Sequence, residues 1–129
     1  MILLPIHTTK KKEIIDITDQ VAQILSEQKV IGGVCFLFVK HTTAALTTAD
    51  LDPGTDLDML DAFEKLIPQL KYRHPHNPAH VPDHILSSII GPSVTVPISQ
   101  KSLDLGTWQR LILIEFDGPR EREIVVQFY

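Results

Sequence analysis

Apolar positions recur along this chain with two different periods, and each change of period marks a boundary. Residues 2 to 9 and 13 to 17 ("EIIDI") are short, strand-like runs separated by Lys10 to Lys12, which predicts an opening hairpin or a pair of edge strands. In "DITDQVAQILSEQK" the apolar residues Ile17, Val21, Ile24 and Leu25 fall at helical spacing. Asp16 or Thr18 can cap the start of that helix, and Gly32 and Gly33 stop the chain beyond it.

The run "GVCFLFV" is apolar at successive positions, as in a central strand covered on both faces, and it delivers His41 where it emerges. "DPGTDLDMLDAFEKLIPQL" returns to a helical period, with Pro53 and Gly54 as turn residues and Thr55 as N-cap. Leu57, Leu60, Phe63, Leu66 and Ile67 form one apolar stripe that runs until Pro68. "DHILSSIIG" predicts a short helix of about two turns, capped by Asp83 and stopped at Gly91. "PSVTVPIS", "KSLDLGT", "WQRLILIEF" and "EREIVVQFY" are strand-length, the last two joined by the turn "DGPR". Seven or eight strands with three helices between them predict an α+β fold, with an antiparallel or mixed sheet pair.

Composition narrows the class without changing that picture. The 129 residues make one domain, residues 1–129, long enough for a single core. With 43% apolar and 22% charged residues the chain is globular. A formal charge of −4, with a single short basic run followed at once by Glu13, argues against nucleic acid as a partner. "MILLPI" has no preceding positive region and contains a proline, so it reads as neither a signal peptide nor a membrane span, and a cytoplasmic location is expected. Cys35 lies in an apolar strand, where it reads as a small buried hydrophobe and not as a nucleophile.

The chemistry gathers around histidine. "YRHPHNPAHVPDHILSS" holds four of the six histidines, His74, His76, His80 and His84. His80 and His84 have the i, i+4 spacing that lets two imidazoles on one helix face share a metal. Pro82 between them restricts Val81 to extended geometry, so the helix is expected to begin near His84 and the pair to converge by loop geometry. A histidine at a helix N-terminus suits either metal ligation or one wall of a phosphate or carboxylate pocket. For His74 and His76, flanked by Arg73, Pro75 and Pro78, a solvated loop is the competing reading. His41 alone is equally well a satisfied core residue.

Three strings, "HTTAALTTADLDPGTDLDML", "H…N…AH…DHILSSIIGPS" and "LDLGTWQRLILIEFDGPRERE", resemble the YjbQ-like family of secondary thiamine-phosphate synthases, over nearly the whole chain. The resemblance implies a β-sandwich with about three helices that assembles as a homotrimer, with clefts between subunits. It also implies a reaction that joins hydroxymethylpyrimidine diphosphate to a thiazole phosphate and releases pyrophosphate. Such chemistry calls for a divalent metal ion (zinc, manganese or magnesium) and positive groups around the departing oxygens. Matched residue by residue, the motifs place His41 and His84 as metal ligands; the third is His80 by its spacing to His84, or His74 by its match to the family motif. They place Thr42, Thr43, Ser88, Trp108 and Gln109 at the substrate, and Asp52, Glu115 and Arg120 as catalytic residues. One departure stands out: where many members carry N-A-D-P this chain has "DLDP", so Asp50 replaces an asparagine beside Asp52. The added charge would favour a cation and repel a diphosphate.

Strand alternation sorts the last motif. Thr107, Gln109, Leu111, Leu113 and Glu115 face one way, Trp108, Arg110, Ile112 and Ile114 the other. Gln109 and Glu115 share a face but stand roughly 20 Å apart, too far for one small ligand within one subunit. Trp108 reads either as a core anchor or as a substrate contact, and Arg120 as a solvated turn charge or a functional one. Glu115, at the end of an apolar run, is either paired with Arg120 or Arg122 or used in chemistry. Two functions compete with the enzyme: a non-catalytic trimer binding a metal or a small phosphorylated metabolite, and a purely structural trimer. No nucleophile with an obvious base partner is visible, which leaves metal-driven chemistry or binding alone.

Overall fold

The computed structural model describes all 129 residues. In chain order the elements are β1 (Ile2–His7), β2 (Glu13–Asp16), α1 (Thr18–Glu27), β3 (Gly33–Val39), β4 (Ala44–Ala49) and α2 (Thr55–Leu66). A 3₁₀ turn (Pro78–His80) leads directly into α3 (Val81–Ile90), followed by β5 (Ser93–Ser99), β6 (Ser102–Leu103), β7 (Arg110–Glu115) and β8 (Glu121–Phe128). The strands form two antiparallel sheets, one ordered β1-β8-β3-β5-β6 and the other β2-β7-β4. The α+β class and the three helices are as expected. Every strand pair is antiparallel, so the sheets are not mixed.

β7 shows how the layers are built. Leu111 and Leu113 pack into the core between the sheets, with Cys35, Leu37 and Val39 of β3 and Ile124 and Val126 of β8. Ile112 and Ile114, on the opposite face, pack with Phe116 and Leu86 and with Leu60 and Phe63 of α2. The predicted alternation is therefore correct, but both faces are apolar because the central strand is sandwiched between a sheet and two helices. Ile17, Val21 and Leu25 of α1 close the inter-sheet core, each fully or nearly fully buried, which contributes about 1.5–3 kcal/mol per side chain.

Several local expectations are corrected. β1 and β2 are edge strands of different sheets and not a hairpin. α1 stops at Gln28, before the glycines, because Lys29 takes a left-handed φ of 56° and returns its N–H to Ser26 O. Its start is held by the Asp16 carboxylate, which accepts from Thr18 N–H and pairs with Arg110. Burial alone raises the Asp16 pKa, but those hydrogen bonds outweigh it and the pKa lies below the ordinary aspartate value.

β3 is covered on one face only. Phe36 and Phe38 remain half-exposed and stacked on the outer face, with centroids 6.3 Å apart. α2 begins at a left-handed Gly54 and not at a Thr55 cap, and none of its residues is buried. Leu57 and Leu66 of the predicted stripe are 60% and 66% exposed. No helix is long and apolar enough to cross a membrane.

The largest correction concerns Pro82. Val81 is helical (φ −60°, ψ −40°), so α3 begins one residue before the proline. Pro82 sits in the first turn, where a missing N–H costs nothing. His80 becomes the residue before the helix and His84 lies on its first turn, keeping the i, i+4 relation that an extended Val81 would have broken. Asp83 is not the cap. It is 4% exposed and pairs with Lys12, whose ammonium also lies 5.7 Å from the centre of the Phe116 ring.

Candidate functional site

β3 and β7 end at the same edge of the sandwich, and the turns that follow them meet the loop before α3. There they enclose an open cavity of about 440 Å³ lined by ten residues, none of them hydrophobic. Lys40, His41, Thr42 and Thr43 come from the β3–β4 turn, His74 and His80 from the loop, and His84 from α3. Asp117 and Arg120 come from the β7–β8 turn and Arg122 from β8 itself. An adjoining cavity shares Lys40, His41, Thr42 and His84 and adds Ser87, Ser88 and Phe38.

Folding thus brings His41 to the same cavity as imidazoles 33 to 43 residues further along the chain. His74 and His84 stack face to face, with centroids 5.1 Å apart and planes inclined by 18°. His80 Nε2 lies 3.0 Å from the Asn77 amide nitrogen and 3.7 Å from Asp117 Oδ1. His41 Nε2 accepts from the Glu123 N–H at 3.4 Å. Partial burial first, and the nearby Arg122 charge second, hold the His41 pKa below its ordinary value, against an opposing pull from Glu115 and Glu123. Its ring is therefore neutral at pH 7.

Beneath the cavity Glu115 is fully buried and Arg122 is 2% exposed. Arg122 donates from Nε at 2.9 Å to Glu115 Oε1 and from a terminal nitrogen to Thr43 Oγ1 at 2.9 Å. Glu115 came from the inward face of one sheet and Arg122 from the inward face of the other, so the pair bridges the sandwich. Of the two arginines open to Glu115 in the sequence, Arg122 is the partner. Arg120 instead donates to the Asp117 main-chain oxygen at 2.8 Å and to its carboxylate at 3.0 Å.

The remaining sequence candidates lie elsewhere. Trp108 is 71% exposed and so is no core anchor. It lines a separate crevice with Gln109, Thr48 and Asp50, at the opposite end of β7. Gln109 there accepts from Gly106 N–H and donates to Thr48 Oγ1. The separation of Gln109 from Glu115 inferred from strand geometry thus holds within this chain. Asp52 is exposed in the turn before α2, where its N–H bonds the Asp50 carboxylate, and it lines neither histidine cavity.

Lys40, Asp117 and Arg122 were missed as cavity residues. The signal for Asp117 was present in "DGPR", since a carboxylate in a tight turn between two buried strands is held at the sheet edge.

Imidazole and carboxylate side chains are the donor types a borderline divalent cation takes. Their placement does not converge: no three histidine, cysteine, aspartate or glutamate side chains surround a common point. The donor chemistry suits a cation, while the wall also offers positive groups to an anion: Lys40, and Arg120 shared with Asp117, with Arg122 balanced by Glu115 beneath.

Comparison with known proteins agrees with the motifs. A family model described as UPF0047 protein YjbQ-like matches residues 3–129. A UPF0047 protein of Archaeoglobus fulgidus is 39% identical over 125 residues, covering 96% of this chain and 97% of that protein. YugU of Bacillus subtilis, also a UPF0047 protein, is 37% identical over 125 residues, covering 96% and 95%. The crystal structure of an uncharacterized YjbQ/UPF0047 family protein from Clostridium acetobutylicum superimposes with a TM-score of 0.91 at 33% identity, covering all of both chains. With sequence and fold in agreement over essentially its full length, the chain belongs to the YjbQ-like UPF0047 family.

Proposed function

We propose that the histidine cavity binds the diphosphate of a small phosphorylated metabolite and that the chain is a metal-dependent transferase of the thiamine-phosphate synthase kind. One observation carries this reading: the ten-residue lining is wholly polar and combines four imidazoles with Lys40, Arg120 and Arg122. In the reaction, the bond between the pyrimidine methylene carbon and the diphosphate oxygen breaks, and its electron pair departs on pyrophosphate. The thiazole ring nitrogen supplies the pair for the new carbon–nitrogen bond.

Lys40 and Arg120 line the cavity and would take charge that develops on the leaving oxygens, with imidazole N–H groups as further donors. His41, His80 and His84 are the side chains that would have to close on a divalent cation, since they surround no common point in the free chain, and a cation so held would neutralise further phosphate charge. Purified protein supplied with magnesium, manganese or zinc and both precursors should form thiamine phosphate and pyrophosphate. Arg120→Ala should lower the rate about 100-fold, as expected for loss of one charge-stabilising donor. Absence of product with every metal rejects this reaction.

A second reading, binding without turnover, is favoured by histidines that surround no common point for a metal, and no activated nucleophile offers a covalent route instead. The Ser87 hydroxyl donates to the Ala44 carbonyl at 2.6 Å, and burial pushes the Cys35 thiol up to about 11. Pyrophosphate binding measured calorimetrically, with no product formed, decides for that reading.

The homotrimer belongs to the same proposal. The helices pack on β2, β4, β6 and β7, which leaves the outer face of β1, β8 and β3 uncovered. Leu3, Phe36 and Phe38 stand on that face around the buried Val125, and Phe38 also lines the second histidine cavity. A second copy seated there would lie against the cavity rim, where it can complete the cleft. Light scattering should give three times 14.5 kDa for the parent chain and 14.5 kDa itself for Phe38→Asp. A monomeric parent excludes the assembly.

A further inference from the structure

Thr8 is fully buried just beyond the end of β1, where no apolar contact requires a hydroxyl. Its Oγ1 accepts from the Arg120 N–H at 2.8 Å and donates to Glu115 Oε1 at 2.8 Å, while its own N–H donates to the Arg120 carbonyl at 2.9 Å. One side chain therefore ties the turn that carries Asp117 and Arg120 to the buried Glu115–Arg122 pair. Two further bonds fasten the same turn: Asp117 N–H to Glu115 Oε2 at 3.2 Å and Gly118 N–H to the Lys11 carbonyl at 2.9 Å.

Gly118 supplies independent support. A Cβ there would lie 2.3 Å from the Lys10 carbonyl oxygen and 2.8 Å from Thr8 Oγ1, so the two turns are pressed together as closely as backbone allows. All these groups are paired, and no buried side-chain nitrogen or oxygen lacks a partner. A fully satisfied polar network of this kind fixes one arrangement. What it fixes here is Asp117, whose carboxylate faces His80 and holds the Arg120 guanidinium.

We infer that Thr8, acting through the Glu115–Arg122 pair, is a positioning residue that sets Asp117 and Arg120 at the wall of the histidine cavity. This rests on the reading of that cavity as a diphosphate site. It also gives Glu115 a role other than the catalytic one its motif implies: the carboxylate is spent on Thr8, Arg122 and Asp117 and orients groups that face the ligand.

The test compares Thr8→Val, which keeps shape and removes the hydroxyl, with Thr8→Ser, which restores it. Two readings are taken at a temperature where all three proteins are folded: pyrophosphate affinity by calorimetry, and amide hydrogen exchange without ligand. Thr8→Val should weaken pyrophosphate about tenfold, the loss expected for a displaced charged contact. It should also speed exchange at Asp117 and Gly118 about tenfold relative to Ile124 and Val126 in the neighbouring strand. Neither of those two amides bonds Thr8 directly, so their loosening reports the whole turn. Thr8→Ser should recover both.

A Thr8→Val protein with a lower melting temperature but unchanged affinity and unchanged exchange at Asp117 and Gly118 overturns the inference and leaves Thr8 a structural residue. A parent chain that binds no pyrophosphate removes the diphosphate reading instead. Exchange at the two amides then decides the positioning role alone.

Discussion

Replacing Arg122 with leucine is expected to destabilise the fold by about 3–5 kcal/mol, the usual penalty for leaving one member of a buried ion pair uncompensated. Glu115 is fully buried and would keep only the Thr8 hydroxyl and the Asp117 N–H as donors. Thr43 would lose the Arg122 donor to its hydroxyl, while its carbonyl would keep the Phe116 N–H. Against a total stability of about 5–15 kcal/mol that loss is large, and the melting temperature should fall by on the order of 10 °C or more.

A double replacement, Glu115→Leu with Arg122→Met, should recover most of the stability, because an apolar pair of similar volume no longer buries charge. It should not recover pyrophosphate affinity, since Arg122 lines the cavity and Glu115 anchors Asp117. Urea denaturation of the single and double variants reads the first effect and calorimetry the second. An Arg122→Leu protein as stable as its parent would show that the pair does not form in solution.

How much of this could be read from the sequence depends on how local the cause was. The alternation of "RLILIE" correctly assigned Leu111, Leu113 and Glu115 to one face, because side-chain direction in a strand depends only on residue parity. The partner of Glu115 depends on how two stacked sheets register, and parity says nothing about that. Arg120, nearer in sequence and equally charged, was as good a candidate as Arg122.

Pro82 misled for a related reason. The restriction on Val81 is a preference, and the 3₁₀ turn that runs straight into α3, with the Val81 N–H on the Pro78 carbonyl, together with packing of Leu86 overrode it. The stripe on α2 was real but overstated burial, since a period locates a face and not the depth of what covers it. Of the histidine site, His41, His74 and His84 came from motifs and His80 from its spacing, and their meeting in one cavity came from the fold. Thr8 carried no signal at all, because its partners Glu115 and Arg120 lie more than a hundred residues away.

Gly118→Ala is the second substitution with a large expected effect, and its origin is steric. The new Cβ would lie 2.3 Å from the Lys10 carbonyl oxygen, 2.8 Å from Thr8 Oγ1 and 2.9 Å from Glu115 Cγ. The first of these belongs to backbone and the other two to buried side chains, so none can swing aside cheaply. Relief requires the β1–β2 turn to retreat, which breaks Gly118 N–H to Lys11 O and strains the Thr8–Arg120 bonds. Overpacking of this kind costs about 1–3 kcal/mol, and the lost hydrogen bond adds about 1 kcal/mol. Gly54→Ala is the control: its φ of +93° is left-handed, but nothing lies within 4 Å of the added carbon, so only the conformational penalty of about 1–2 kcal/mol applies. Urea midpoints should therefore rank the parent above Gly54→Ala and Gly54→Ala above Gly118→Ala. Pyrophosphate affinity should fall only in Gly118→Ala, because only there does the strained turn carry Asp117 and Arg120. Equal midpoints for the two alanine variants would mean that the turns are not pressed together as described.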